Sequence, residues 1–267
     1  MSELWQHFVA GRSDFFLYAL MPSIVVTVAY ITGSLASWLV ERSSALQKHK
    51  IQRKTQSGTT WRECIRHVFF HKLTSEIPLT WAAYPIFLFV GVTHEPPLPS
   101  VLTVLLTLAG CLVVEDAWHY FAHRTLHAPW AYKKIHHIHH KYTTPFGAAA
   151  NYAHPAETIF TGFGTVIPVI LFRPHLFTVL VWIVVRQWQA ISVHVGYDLP
   201  FRPSRFLPFV GGARFHDRHH ERFTSNFAPT FVWLDRILGT ADEKDLGAKP
   251  APAAPAATPN LANHSRS

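Results

Sequence analysis

The sequence predicts an all-α fold, an integral membrane helical bundle whose two hairpins carry a histidine-rich cap facing the cytosol. Three observations predict it. The chain is 49% hydrophobic and only 15% charged, against about 25% charged in ordinary soluble domains. Long apolar runs recur along it, and the first, Phe15 to Val40, holds no charged residue. Seven of the nineteen histidines crowd into Glu115–His140, at spacings that place imidazoles on common helix faces.

The aromatic load, nine Trp, eight Tyr and twenty Phe, suits a chain with rings at lipid interfaces. The formal charge of +8 fits attraction to an anionic leaflet. No finger, ribbon or helix-turn-helix pattern accompanies it, so no nucleic-acid partner is expected. Two cysteines, Cys64 and Cys111, give no disulfide framework. The N-terminus lacks a basic region followed by a short apolar core and cleavage site, so no removable leader is expected.

Taken in order, residues 1–14 form a mixed N-terminal segment with Trp5 and Phe8 at an interface. Phe15–Val40 exceeds the roughly 20 residues that span a bilayer, and Pro22 sits near its start. Glu41–Arg66 is a basic loop, with Arg42, Lys48, Lys50, Arg53, Lys54, Arg62 and Arg66 against Glu41 and Glu63, which the positive-inside bias places in the cytosol. Phe69–Val92 and Val101–Val114 are the arms of a first hairpin around the turn His94–Pro99, where prolines stop the helix. The return arm continues through Glu115 and delivers the histidines to the cytosolic side. Pro129 ends it. Ala131–Lys141 is a short second helix, and residues 142–157 are loop. Thr158–Phe172 and Leu176–Val193 form a second membrane hairpin, within 158–193, that returns the chain to the same side. Thus 15–114 is a membrane region with its basic loop, 115–247 is a catalytic region, and the Ala- and Pro-rich 248–267 is a disordered tail.

The histidines carry the chemistry. His119, His123 and His127 fall at i, i+4 and i+8, one stripe of a helix. His136, His139 and His140 repeat i, i+3, i+4, as do His216, His219 and His220. His154 and His194 lie outside the clusters and are candidates to complete the set. His137 points about 100° away from its neighbours on a helix and is left out. One zinc-like ion takes three or four ligands, so this count fits two ions, and imidazole alone leaves Zn, Cu, Fe and Ni open. Glu115, Asp116, Glu157, Asp198 and Asp217 are the candidate catalytic acids. A carboxylate accepting from a ligand's distal N–H sets the imidazole's tautomer and orientation.

These motifs carry a family likeness. HRTLH (His123–His127), HHIHH (His136–His140) and HDRHH (His216–His220), with YAHPAE from Tyr152, HVGYDLP from His194 and SNFAPTF followed by WLDRILGT up to Thr240, resemble the membrane-bound fatty acid hydroxylase superfamily in its sterol C4-methyl oxidase branch. The likeness covers roughly residues 110–240. It implies two iron ions held by histidines, and use of O2 to oxidise a 4α-methyl group of a sterol precursor. It implies electrons from NAD(P)H through a reductase and a separate cytochrome b5 or b5-like donor, and a sterol dehydrogenase downstream that removes the carboxyl carbon. It also implies a multi-pass protein of the endoplasmic reticulum membrane. Two alternatives stand beside it. One is a related di-iron enzyme on another lipid, of the C-5 sterol desaturase or fatty acid 2-hydroxylase type. The other is a metal-binding membrane scaffold or transporter, which requires ionisable groups along a membrane pathway.

Overall fold

The structure, a computed structural model, describes residues 2–53 and 58–242. The tail expected to be disordered and Lys54 of the basic loop lie outside the described residues. Ten α-helices occur among the described residues, and no strand forms beyond two isolated bridges. Four helical segments, Phe16–Arg42, Val101–Leu126, Pro155–Phe172 and Leu176–Val193, are long and apolar enough to cross a membrane.

A short amphipathic helix α1 (Ser2–Val9) precedes a π-helical turn (Phe16–Leu20) that runs into α2 (Met21–Arg42). Ile24, Val28, Ile31, Leu35 and Leu39 of α2 are exposed. Their spacing of three and four residues makes one apolar stripe, of a size that soluble monomers do not expose, so this face meets lipid. The other face is built from small residues. A Cβ added at Gly33 would stand 2.6 Å from Ile191 Cδ1, and Trp188 Nε1 donates to the Ala29 carbonyl at 3.0 Å. Close approach of this kind is how helices pack without a hydrophobic gradient between them.

The basic segment differs from the expected loop. From Gly58 it is helical: α3 (Gly58–His71), a π-helical turn (Lys72–Glu76) and α4 (Ile77–Phe89) follow one another. Only α4, 13 residues, is apolar throughout, less than a full span. The reason is the buried Lys72, whose ammonium donates to both Glu76 oxygens at 2.7 and 2.9 Å. The amphipathic α3 packs instead on the 147–151 turn through Cys64 and Val68.

Ser100 caps α5 (Val101–Leu126) by accepting from Thr103 N. α5 carries His119 and His123 and ends with His127 as its C-cap. Pro129 opens the next helix, α6 (Pro129–Lys134), rather than ending α5. The pre-proline Ala128 is extended, the conformation proline imposes on its predecessor. His136–Lys141 is a 3-10 turn and not the expected α-helix. The second hairpin is as expected: α7 (Pro155–Phe172) and α8 (Leu176–Val193), joined through Arg173 at φ 46°. α7 lies along α5, and α8 lies along α2. α9 (Gly212–Arg222) and the short α10 (Trp233–Ile237) complete the cap.

Tertiary bonds sort the loops into two ends. Trp5 Nε1 donates to His94 O, Leu176 N to Thr93 O, and Tyr18 Oη to Val92 O. α1 and both hairpin tips therefore share one end. At the other end, Ile51 N bonds Gly196 O and Gln52 Nε2 donates to Asp217. This draws the basic segment against the histidines.

Candidate metal centre

Nine imidazoles converge at that second end, in two groups. His123, His127, His136, His140 and His219 form the first, and His139, His194, His216 and His220 the second. In each group the Nε2 atoms face one another. In the first, His123–His136 is 3.1 Å, His136–His140 3.0 Å, His140–His219 3.2 Å and His219–His127 3.2 Å. In the second, His216–His194 is 3.0 Å, His194–His139 3.3 Å and His216–His220 3.2 Å.

The local structure explains the sorting. Residues at i and i+4 lie one above the other on an α-helix, so His123 stays with His127 and His216 with His220; His136 and His140, on the 3-10 turn, also share a group. The i+3 histidine of each His-x-x-His-His motif crosses to the other group, His139 to the second and His219 to the first. The two motifs thus exchange one imidazole each and knit the groups into one cluster.

Backbone carbonyls set the tautomers. The Nδ1–H of His123 donates to Phe227 O at 2.7 Å, that of His219 to Ser225 O at 2.7 Å, that of His194 to Ala190 O at 2.7 Å and that of His139 to Tyr152 O at 3.2 Å. In these neutral rings Nε2 is a bare lone pair. His194 and His139 therefore aim two lone pairs at each other across 3.3 Å with no proton to share. Burial pushes the His127 and His139 imidazoles down to about 4. It holds His136, His194, His216, His219 and His220 well below the usual range, with the neighbouring imidazoles adding to it. Protonation is thus disfavoured, and a cation is what such a lone-pair cluster fits. Imidazoles about 2.0–2.1 Å from one ion stand about 2.9–3.4 Å apart at right-angle to tetrahedral spacing, which brackets the separations here.

The remaining expected site residues take other positions. His119, one turn before His123, lies outside both groups. Its Nδ1 stands 3.3 Å from Glu115 Oε1 and 3.2 Å from Arg186 Nη2. His154 also lies outside them, because as N-cap of α7 its Nδ1 accepts from Ala156 N. His137 is exposed. Among the five acids, Glu157 meets a clustered imidazole, its Oε1 2.9 Å from His136 Nδ1 with both buried. Glu115 pairs with Arg186 at 2.6 Å. Asp116 accepts from Thr230 N, Phe231 N and Trp233 Nε1. Asp198 pairs with Arg202 and Arg214, each at 2.8 Å. Asp217 accepts from Gln52, and burial pushes its carboxyl up to about 7.

Sequence reading missed Arg186, which is partly buried and the one charged residue of α8. A lone charge in a membrane helix is its signal. It missed Asp235 too, which accepts from Phe227 N and Ala228 N and so holds the carbonyl that orients His123. No sequence pattern marks the four carbonyls.

A cavity of about 350 Å³ opens on the cluster between α2, α4, α5, α7 and α8. His123 and His136 of the first group and His139, His194 and His216 of the second line its polar end, while Val26, Leu79, Val166, Val179, Trp182 and Ile183 line its walls within the bundle.

Apolar helices long enough to cross a membrane, around a cavity whose end is lined by histidines of both groups, define a membrane-helix protein with a polyhistidine site suited to metal. The fatty acid hydroxylase family model matches residues 108–240, and the chain belongs to that family. It is 38% identical to methylsterol monooxygenase 2-2 of Arabidopsis thaliana over 88% of this chain and 90% of that protein. It is 39% identical to a methylsterol monooxygenase of Aspergillus fumigatus over 90% and 83%. A very-long-chain aldehyde decarbonylase of rice, Oryza sativa, is 35% identical over 90% and 91%. No solved structure matches the chain.

Proposed function

We propose that this protein is a methylsterol monooxygenase, oxidising the 4α-methyl group of a sterol precursor with O2 at two iron ions. The observation that carries the reading is the cavity, whose apolar walls lie among spanning helices and whose end is formed by histidines of both groups. Relatives named as methylsterol monooxygenases, matched over most of both chains, support the sterol.

His123, His127, His136, His140 and His219 would hold the first ion, and His139, His194, His216 and His220 the second. When bound, the iron supplies the oxygen activation that cleavage of an unactivated C–H bond requires and that side chains cannot provide. The chain's own residues do the rest. The carbonyls of Phe227, Ser225, Ala190 and Tyr152, with the Glu157 carboxylate, keep Nε2 of His123, His219, His194, His139 and His136 aimed inward. The apolar walls orient the ring system and exclude water. Asp116, Asp198 and Asp217 support the cap, and Glu115 joins α5 to α8 through Arg186, each through its own partners rather than through clustered imidazoles.

The electrons come from a separate cytochrome b5 or b5-like donor fed by an NAD(P)H-dependent reductase. Exposed Lys133 and Lys134, just before the second histidine motif, suit an acidic carrier. The carboxylate product is handed to a decarboxylating sterol dehydrogenase. The basic 41–53 segment packs at the histidine end, which favours a cytosol-facing site in the endoplasmic reticulum membrane by the positive-inside bias.

A second reading is favoured by the rice relative: the same centre acting on a long-chain aldehyde or another lipid, as in related desaturases and hydroxylases. Expression in cells lacking their own C4-methyl oxidation tests both. Disappearance of accumulated 4-methylated sterols is expected. Persistence of those sterols beside stable, iron-loaded protein, with a changed aldehyde or acyl profile, would establish the second reading instead.

A further inference from the structure

Two spanning helices share a buried ion pair at the cavity wall. Glu115 on α5 is fully buried, and its Oε1 stands 2.6 Å from Arg186 Nε on α8. Arg186 Nη1 donates to Gln189 Oε1 at 2.7 Å, and Gln189 Nε2 donates to Pro229 O at 2.6 Å. Ionised groups inside a membrane bundle are costly and are kept where they act. Both charges here converge on one atom, Nδ1 of His119, at 3.3 and 3.2 Å. The ring is thereby held from one side. Its other nitrogen, Nε2, has no hydrogen-bond partner among the described residues, and His119 lines the cavity. Its ring centroid is 5.6 Å from that of His123, so the group stands one helical turn from a first-group imidazole, on the membrane side.

Two further polar pairs along this wall are engaged with one another. Gln187 and Asn151 bond reciprocally at 2.8 and 3.3 Å, and His71 Nε2 meets Thr158 Oγ1 at 2.8 Å. We infer that His119, clamped by Glu115 and Arg186, is a substrate-hydroxyl subsite: its Nε2 pairs with a hydroxyl on the carbon next to the one that carries the reacting methyl.

The inference rests on the sterol reading, since a 4-methyl sterol bears such a hydroxyl at the neighbouring ring position. Bringing the methyl to the histidine cluster brings that hydroxyl out of water and beside the first turn of the wall. A buried hydroxyl without a partner is penalised. A hydroxyl both donates and accepts, so it pairs with Nε2 in either tautomer of His119. Rings held in other orientations leave the hydroxyl against apolar wall, which makes His119 a selector of the face and position oxidised.

The test compares a 4-methyl sterol with its 3-deoxy analogue on metal-loaded protein in detergent or nanodiscs. Both kcat/KM and equilibrium binding without reductant are measured. Wild type is expected to prefer the hydroxylated sterol by about 5- to 150-fold, the penalty for leaving a buried polar group without its partner. His119→Ala should lose that preference through the hydroxylated sterol alone, with wild-type metal content and little change toward the 3-deoxy sterol. His119→Gln, which keeps a hydrogen-bonding group, should recover part of it and serves if the alanine variant does not accumulate. An unchanged preference in these variants, an indifferent wild type, or a fall in metal content on His119 substitution would each overturn the subsite. Metal-loaded wild type that oxidises neither sterol but does oxidise an aldehyde or acyl lipid would instead overturn the sterol reading, and the subsite with it.

Discussion

Glu157 at the start of α7 places its Oε1 2.9 Å from His136 Nδ1, with both side chains buried. A carboxylate here aims the ring's Nε2 at His123 and His140 and raises its basicity as a ligand. Glu157→Gln keeps the shape and removes the charge. Metal affinity is expected to fall about 10- to 100-fold, read by metal content after dialysis against graded chelator. Unchanged retention would show that His136 needs no carboxylate partner.

Asp235 acts on the cluster at one remove. It accepts from Phe227 N at 2.9 Å and Ala228 N at 2.8 Å, and Thr240 Oγ1 donates to it at 2.7 Å. Phe227 O in turn receives His123 Nδ1–H. Asp235→Ala leaves two buried amides unpaired, so stability should drop by about 1–3 kcal/mol, with reduced occupancy of the first group. Thermal unfolding together with metal analysis checks this. A stability loss with full metal content would detach Asp235 from the site.

The division into two groups makes metal stoichiometry informative. His123→Ala and His220→Ala each remove an imidazole from a different group; if each group holds an iron, each should lose turnover and lower bound iron, chiefly at its own group. Exposed His137 offers a control: His137→Ala should keep both ions. Iron per chain, measured beside O2- and reductant-dependent turnover, decides; equal iron in all three variants would refute the two-group assignment.

Removing metal should itself destabilise the fold. Without an ion the inward lone pairs of His194 and His139, 3.3 Å apart, repel in a buried setting that resists protonation. Chelator-treated protein is therefore expected to unfold at lower temperature than the iron-loaded form, and to recover on addition of Fe(II). Coincident unfolding curves would argue that the cluster holds no structural cation.

Gly147 tests the packing beneath the cap. Its N–H donates to Ser37 Oγ at 3.0 Å, and a Cβ there would overlap Ser37 and press on Ile191. Gly147→Val should cost about 1–3 kcal/mol as overpacking and lower the yield of folded protein in detergent. Gel-filtration recovery and melting temperature measure it, and an unaffected melt would mean that the 147–151 turn yields freely.

Some of this molecule is legible in one dimension. Phe15–Val40, the return arm through Glu115 and the second hairpin were readable because apolar length in a membrane protein answers to bilayer thickness. The histidine motifs were readable because metal chemistry uses few residue types. Helicity in Gly58–His71 was harder to read, since its apolar face is narrow and its partner, the 147–151 turn, lies far along the chain. The 3-10 form of His136–Lys141 was hidden likewise, because ring placement there answers to Tyr152 O, Glu157 and the facing α9.

By itself, then, the sequence determined that this chain spans a membrane with helices and carries its histidines at one end, because both properties depend on local composition and spacing. Only the tertiary structure decided which imidazole joins which group, that His139 and His219 exchange sides, that His154 caps a helix, and that His119 turns to Arg186 and Glu115. Those outcomes depend on directions of side chains and carbonyls brought together from distant segments, for which local periodicity holds no record.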